Sequence, residues 1–276
     1  MNYQISPRIQ QKFNNLTMKP YFRSVLRDLF LMIMGSVTKP KAGIHILSSH
    51  FVSKSLPDYE KYCEFLDYYR KNCSLVRFEE SVEMINLKKK PNDCLVSFSY
   101  DDGFEECYSI IAPALEEFKV NGCFFICGNY TKNATLSYRE HFGRDVLKVE
   151  NKDPMSWNQI KDLNFRGHII GSHTLDHINM NTKDLDKVEY QLVRNKQLIE
   201  ECISKPCDHF AIPFGQLKYI NDQTLKITEK YHKHIFSLTN HRLYYSCNGR
   251  VVNRRHIEGD WPKQYLNYFL SVDKNY

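Results

Sequence analysis

Apolar and polar positions switch between two periods along this chain, and the switches mark out strands and helices in turn. Short apolar runs bounded by Gly, Pro or polar clusters predict strands at Gly43–Leu47, Leu95–Tyr100, Gly122–Cys127, His168–Ser172, Phe210–Ile212, Ile235–Leu238 and Arg250–Ile257, with a shorter one at Ser74–Phe78. Between them lie helical patterns. In Pro57–Lys71, Tyr59, Tyr62, Phe65, Leu66 and Tyr69 recur at helical spacing; Glu79–Lys89, Tyr108–Lys119, Ser156–Phe165, Lys183–Ile203, Asp222–Tyr231 and Pro262–Leu270 follow, with Ser156 as an N-cap. Residues 128–154 break the rhythm. They are polar, with Asn129, Asn133, Arg139, His141, Arg144 and Asp145, show no period, and read as a lid or binding loop. Strands alternating with helices imply a parallel sheet, open or closed into a barrel, in one domain over 43–276 behind a helical extension over 1–42.

Composition narrows the class. With 276 residues, 42% hydrophobic and 13% aromatic, the chain is globular and long enough for a large α/β core. The formal charge of +6 is modest and reads as spread out, Lys88-Lys89-Lys90 being the one tight basic run; nucleic-acid binding wants a denser basic stripe and is set aside. The nine cysteines are odd in number and contain no Cys-x-x-Cys pair, which implies reduced thiols and a cytoplasmic protein. Cys123 and Cys127 are expected on one strand face. Met1–Lys19 lacks the layout of a signal peptide. The segment Tyr21–Met34 is too short in its apolar part to span a bilayer; as an amphipathic helix it either docks on the domain or rests peripherally on a membrane surface.

The chemistry gathers at two strand ends. Leu95–Tyr100 stops at Asp101-Asp102-Gly103, a pair of adjacent carboxylates that needs a solvated turn, a metal or a hydrogen-bonding partner. Strand ends in α/β proteins are where active sites are built, although an exposed Asp-Asp-Gly turn fits the same residues. His168–Ser172 stops at His173-Thr174-Leu175-Asp176-His177, and two histidines four apart share a face of a helical turn and can bind one metal. A carboxylate from a neighbouring strand end completes a three-ligand site with open positions, the layout of a catalytic ion.

Together Ser99-Tyr100-Asp101-Asp102-Gly103 and His173-Thr174-Leu175-Asp176-His177 resemble the first two motifs of the polysaccharide deacetylase family, the NodB-homology fold. Ile46–His50 and Trp157–Ile160 with Gly167-His168 are also similar to that family. The resemblance implies a deformed (β/α) barrel of about seven strands and metal-dependent hydrolysis of an N-acetyl group on an amino sugar. It implies Asp102, His173 and His177 as ligands of a divalent ion, zinc foremost, with Co, Ni, Mn or Fe as other occupants. Asp101 is then the general base, and the Phe214 N–H faces the oxyanion.

The third motif departs from the usual Arg-x-Pro-Tyr/Phe. Phe210–Gly215 reads Phe-Ala-Ile-Pro-Phe-Gly, similar to a branch without the arginine. Arg254 from the last strand is the candidate replacement and Arg255 the fallback, since alternation sends the two to opposite faces; both also fit surface charges. For the general acid, His256 and His50 are the candidates. Trp157, Trp261, Pro213 and His50 are assigned to the sugar site, with Trp157 fitting a core position equally well.

The expected substrate is a nucleotide- or lipid-linked precursor of a surface polysaccharide, which the basic charge favours weakly. Hydrolysis of a formamide or a non-sugar amide on the same site is one alternative. A catalytically silent carbohydrate-binding domain is the other, against which the intact Asp101, Asp102, His173 and His177 weigh. The oligomeric state is not read from the sequence.

Overall fold

Strands buried on both faces have no use for polar alternation, so they carry near-continuous apolar runs. β1 (Gly43–Ser49) is buried along its whole length, and β3 (Cys94–Tyr100) pairs with it in parallel from Gly43↔Cys94 to Ser49↔Tyr100, with β2 (Ser74–Leu75) beside β3. β4 (Gly122–Ile126), β5 (Ile169–Ser172), β6 (His209–Ala211) and β7 (His234–Ser237) follow in order, each parallel to the last. The computed structural model describes residues 20–53, 58–132 and 134–276. The first 19 residues of the expected extension, and Pro57 and Asn133, lie outside them.

The expected strand Arg250–Ile257 is in fact two. β9 (Val251–Asn253) runs parallel to β7 and pairs antiparallel with a short β8 (Tyr245–Ser246), whereas β10 (Arg255–His256) is parallel to β1. One segment therefore bridges the two ends of the sheet, with Arg254 at the step, and curls it into the deformed barrel. Counting β9 and β10 as one staggered strand, the barrel has the seven strands expected.

Inner and outer faces separate cleanly. Ile44, Ile46, Cys123, Phe125, Phe236 and Val252 form one buried cluster inside the barrel. Leu47, Phe98, Phe124 and Ile126, on the opposite faces of their strands, pack against Leu66, Tyr69 and Leu163 of the surrounding helices. Inside, Gly171 faces the Phe125 ring, which a Cβ at 171 would approach to 2.5 Å. Cys127 lies past the end of β4 and packs in the outer layer, so it does not share a face with Cys123. None of the nine cysteines is paired.

Helix ends follow local chemistry. Ser156 caps Trp157–Phe165 as expected, its Oγ accepting from the Gln159 N–H at 3.3 Å while Gln159 Oε1 accepts from the Ser156 N–H at 2.8 Å. The helix expected from Glu79 begins at Phe78, whose ring enters the barrel interior 5.6 Å from Phe236, and it ends at Asn86, short of the basic run. Residues 128–154 are not the loop expected. A helix Leu136–His141 runs into a π-helical turn Phe142–Leu147 that stops at left-handed Lys148. The π turn shifts the 3.6-residue register after two short turns, so no period is visible in the sequence. Tyr130 stacks on Phe142 at 4.8 Å and ties the segment to the barrel.

Candidate active site

Alternation along the strands sends every second side chain inward, and at the C-terminal rim those positions are polar. Ser48 continues the inner row of Ile44 and Ile46, Ser99 and Asp101 that of Leu95, His173 that of Ile169, and Arg254 that of Val252. Arg254 is fully buried, and its Nη1 and Nη2 donate to Asp101 Oδ1 and Oδ2 at 2.8 and 2.9 Å. Nη1 also donates to Ser99 Oγ at 3.0 Å, and the guanidinium lies 4.8 Å from the Phe125 ring centre. Burial alone would raise the Asp101 carboxyl; the Arg254 guanidinium, then His173, outweighs it and holds Asp101 well below the usual carboxylate range. Arg255 turns outward onto Phe269, 3.3 Å from its ring centre.

Next to this pair, Asp102, His173 and His177 converge. Both His173 Nε2 and His177 Nε2 stand 3.5 Å from Asp102 Oδ1. The histidines do not lie on a helical turn. The chain beyond β5 is irregular, and left-handed Thr174 (φ 62°) and His177 (φ 50°) fold the second ring back toward the first, 5.0 Å between centres. Asp102 (φ 71°) and Phe214 (φ 61°) are left-handed as well. Each such non-glycine residue costs roughly 1 kcal/mol, and strain of this kind collects at functional sites.

The three residues fit a metal ion. Asp102 Oδ1 is buried without a hydrogen-bond partner, and the His173 ring is oriented by its Nδ1 on the Ala211 carbonyl at 2.8 Å. Ligand atoms about 2.1 Å from one ion stand roughly 3–3.5 Å apart, close to the spacing found. Burial, then the neighbouring His173, pushes the His177 pKa well below its ordinary value, which keeps the neutral imidazole that a metal requires. Burial raises the Asp102 carboxyl despite the opposing pull of His50 and His173.

A second cluster shares the rim. Glu258 Oε1 accepts from His50 Nδ1 at 2.8 Å and from His256 Nε2 at 2.7 Å, and Oε2 accepts from Ser49 Oγ at 2.6 Å and the His50 N–H at 3.3 Å. Burial alone would lower the His50 pKa, but the Glu258 hydrogen bond and the negative field of Asp102 raise it to about 9. The same partners hold Glu258 far below the usual carboxylate range against its burial. Sequence reasoning missed Glu258. Its signal is an acid two positions after His256, beyond the last strand.

Both clusters open on one cavity of about 410 Å³, lined also by Phe51, Phe104, Phe214, Lys148 and Leu238. Phe214 packs edge-on over the His177 ring at 4.4 Å. The cavity wall therefore holds Asp101, Asp102, His173, His177, Phe214, His50 and His256. Two other assigned residues stand apart. Trp157 starts its helix beside a different groove, with Asn129, Tyr190 and Arg194, and Pro213 is buried behind Phe214 rather than on the wall. Trp261 reaches the rim only through the His256 ring, 5.3 Å away.

The chain is similar in sequence and in fold to known proteins. The chain is 24% identical over 140 residues to a peptidoglycan-N-acetylglucosamine deacetylase of Bacillus cereus, covering 50% of this chain and 54% of that protein. It is 26% identical over 120 residues to the peptidoglycan-N-acetylmuramic acid deacetylase PdaA of Bacillus subtilis, covering 43% of this chain and 36% of that one. The chain spans about half the length of the curated relatives it matches. Its fold is that of IcaB from Ammonifex degensii, with a TM-score of 0.66 at 20% identity over 85% of this chain and 100% of that one. The polysaccharide deacetylase family description matches residues 88–235, a stretch that contains both strand-end motifs and more than half of the sequence, and the chain belongs to that family.

Proposed function

We propose that this chain removes an N-acetyl group from an amino sugar with the help of a divalent metal ion, zinc foremost, and that the sugar is carried on a nucleotide- or lipid-linked precursor. One observation carries the reading. A carboxylate clamped by a buried arginine, Asp101 on Arg254, sits in one cavity wall with Asp102, His173 and His177, and Asp102 Oδ1 has no hydrogen-bond partner. Asp102, His173 and His177 would hold the ion, which when bound supplies Lewis acidity to the acyl carbonyl and acidity to the attacking water.

The chain's own groups do the rest. Asp101 takes the proton of the attacking water. Arg254 keeps its basicity low, so it acts only on a water already made acidic, which confines the chemistry to the loaded site. Arg254 thereby fills the role of the arginine missing from the third motif. The Phe214 N–H, which has no acceptor among the described residues, meets the developing oxyanion. His50 gives a proton to the leaving amine, because Glu258 fixes its Nδ1 and, against its burial, raises its pKa. His256, with its Nε2 already spent on Glu258, steadies that carboxylate.

The test is acetate release by the metal-loaded protein from N-acetylated sugar nucleotides, lipid-linked sugars and glycan oligomers, beside metal analysis of the purified chain. About one divalent ion per chain and acetate from at least one sugar support the reading. An ion without acetate release from any N-acetyl sugar overturns it in favour of a silent binding domain or another C–N substrate.

A further inference from the structure

Charge and bare apolar surface collect at the same end of this chain. Residues 1–41 hold seven basic side chains (Arg8, Lys12, Lys19, Arg23, Arg27, Lys39 and Lys41) against one acid, Asp28. Taken from the chain's 38 Lys and Arg and 32 Asp and Glu, this leaves 31 of each for residues 42–276, so the whole formal charge of +6 resides in the first 41 residues. The charge is not spread out as the sequence was read. Of these, Arg27, Lys39 and Lys41 do not line the catalytic cavity.

The helix Pro20–Val37 within that stretch has two sides. One buries Leu31 and Gly35 against the helix Lys263–Leu270, so closely that a Cβ on Gly35 would come within 1.8 Å of the Gln264 carbonyl oxygen. The Gly35 carbonyl accepts from Asn267 Nδ2 at 3.0 Å. The other side turns Val25, Leu29, Met32, Ile33 and Val37 outward, each between 37% and 75% exposed. Their spacing of four, three, one and four residues makes a continuous apolar stripe along one side of the helix. Ahead of it in the sequence, Ile5, Ile9, Phe13 and Leu16 recur at similar intervals among Arg8, Lys12 and Lys19. No described helix is long and apolar enough to cross a membrane.

We infer that the helix Pro20–Val37 docks the protein on an anionic lipid surface, its apolar stripe lying in the interface and its basic neighbours meeting the headgroups. A helix of this make lies in the plane of the bilayer, and basic residues beside it add attraction to anionic lipid. A second copy is the poorer occupant, because a two-fold stripe-to-stripe contact brings two strongly basic segments together. The segment 1–19 is poorer for the same reason, since it carries three positive charges and no acid.

The test is sedimentation of the full chain with vesicles of phosphatidylcholine alone and of phosphatidylcholine mixed with phosphatidylglycerol. The chain is expected to pellet with the mixed vesicles, to remain in solution with the neutral ones, and to be released by raised salt. Leu29→Glu with Ile33→Glu should lower partitioning at least about ten-fold. Both positions are exposed, so the circular dichroism spectrum should stay that of the parent; Leu29→Ser with Ile33→Ser is the milder check. Absence of vesicle binding by the parent chain, or equal binding by both double variants, overturns the inference. So does a parent dimer that the Glu variant splits without any vesicle binding, which assigns the stripe to a second copy. The readout needs no catalysis, so failure here and failure of the deacetylase reading are separate results.

Discussion

Two clusters of the same residue types, two histidines and a carboxylate each, face one cavity and are finished in opposite ways. Around Glu258 both carboxylate oxygens are taken, by Ser49, the His50 N–H and the two imidazoles, at 2.6 to 3.3 Å. Around Asp102 the imidazole nitrogens stand at 3.5 Å, beyond a normal N–H···O bond, and Asp102 Oδ1 has no partner. A buried polar atom left unpaired costs about 1–3 kcal/mol, which a fold sustains where a guest supplies the missing contact. The satisfied cluster is suited to holding a proton in place, and the unsatisfied one to receiving an ion.

The largest effects should fall on the unsatisfied cluster. His173→Ala is expected to take metal content from about one ion per chain to near none and acetate release down about a thousand-fold or more, read by metal analysis beside the assay. Asp101→Asn should lower kcat about a thousand-fold while the ion stays bound, since Asp101 is the base and not a ligand. The pair of results separates holding from proton transfer. Loss of metal in Asp101→Asn would merge the two roles and break the comparison.

How much of this could be read beforehand follows from distance along the chain. Asp101-Asp102-Gly103 and His173…His177 each lie within a few residues at a strand end, so both motifs and the barrel they imply are legible. The His pair is legible by identity and not by conformation, because nothing in its spacing distinguishes a helical turn from two left-handed residues. Arg254 meets Asp101 from 153 residues away, and only inward alternation hinted at it. Glu258 joins His50 across 208 residues through the step between β9 and β10, which no local pattern encodes. Trp157 was assigned to the sugar by type alone, and the capped helix it begins carries it to another groove.

Within the satisfied cluster, Glu258→Gln should lower kcat about ten-fold to a hundred-fold with the metal retained, as removal of a group that orients another usually does. Its pH profile is the sharper reading. His50 acts when protonated and Glu258 raises its pKa against burial, so the parent rate should fall on the alkaline side of the His50 titration. Without the Glu258 anion, burial weighs more and the alkaline limb should move to lower pH. An unmoved limb would remove His50 from the proton path.

The smallest effect expected is that of His256→Gln. His256 Nε2 gives Glu258 Oε1 a hydrogen bond of 2.7 Å, and its ring lies edge-on to His50 and beside Trp261, 5.3 Å from each. A glutamine amide can supply the same N–H to Glu258, so the change forfeits ring packing and part of one hydrogen bond, about 1 kcal/mol or five-fold in rate. His50→Gln removes the proton itself and should lower kcat about a hundred-fold or more. If the two magnitudes came out reversed, with the alkaline limb moving in His256→Gln alone, His256 would be the proton donor and His50 the residue that steadies Glu258. Both rings hold one nitrogen on Glu258 and keep one free, and what favours His50 is that the charges of Asp102 and Asp101 act on it.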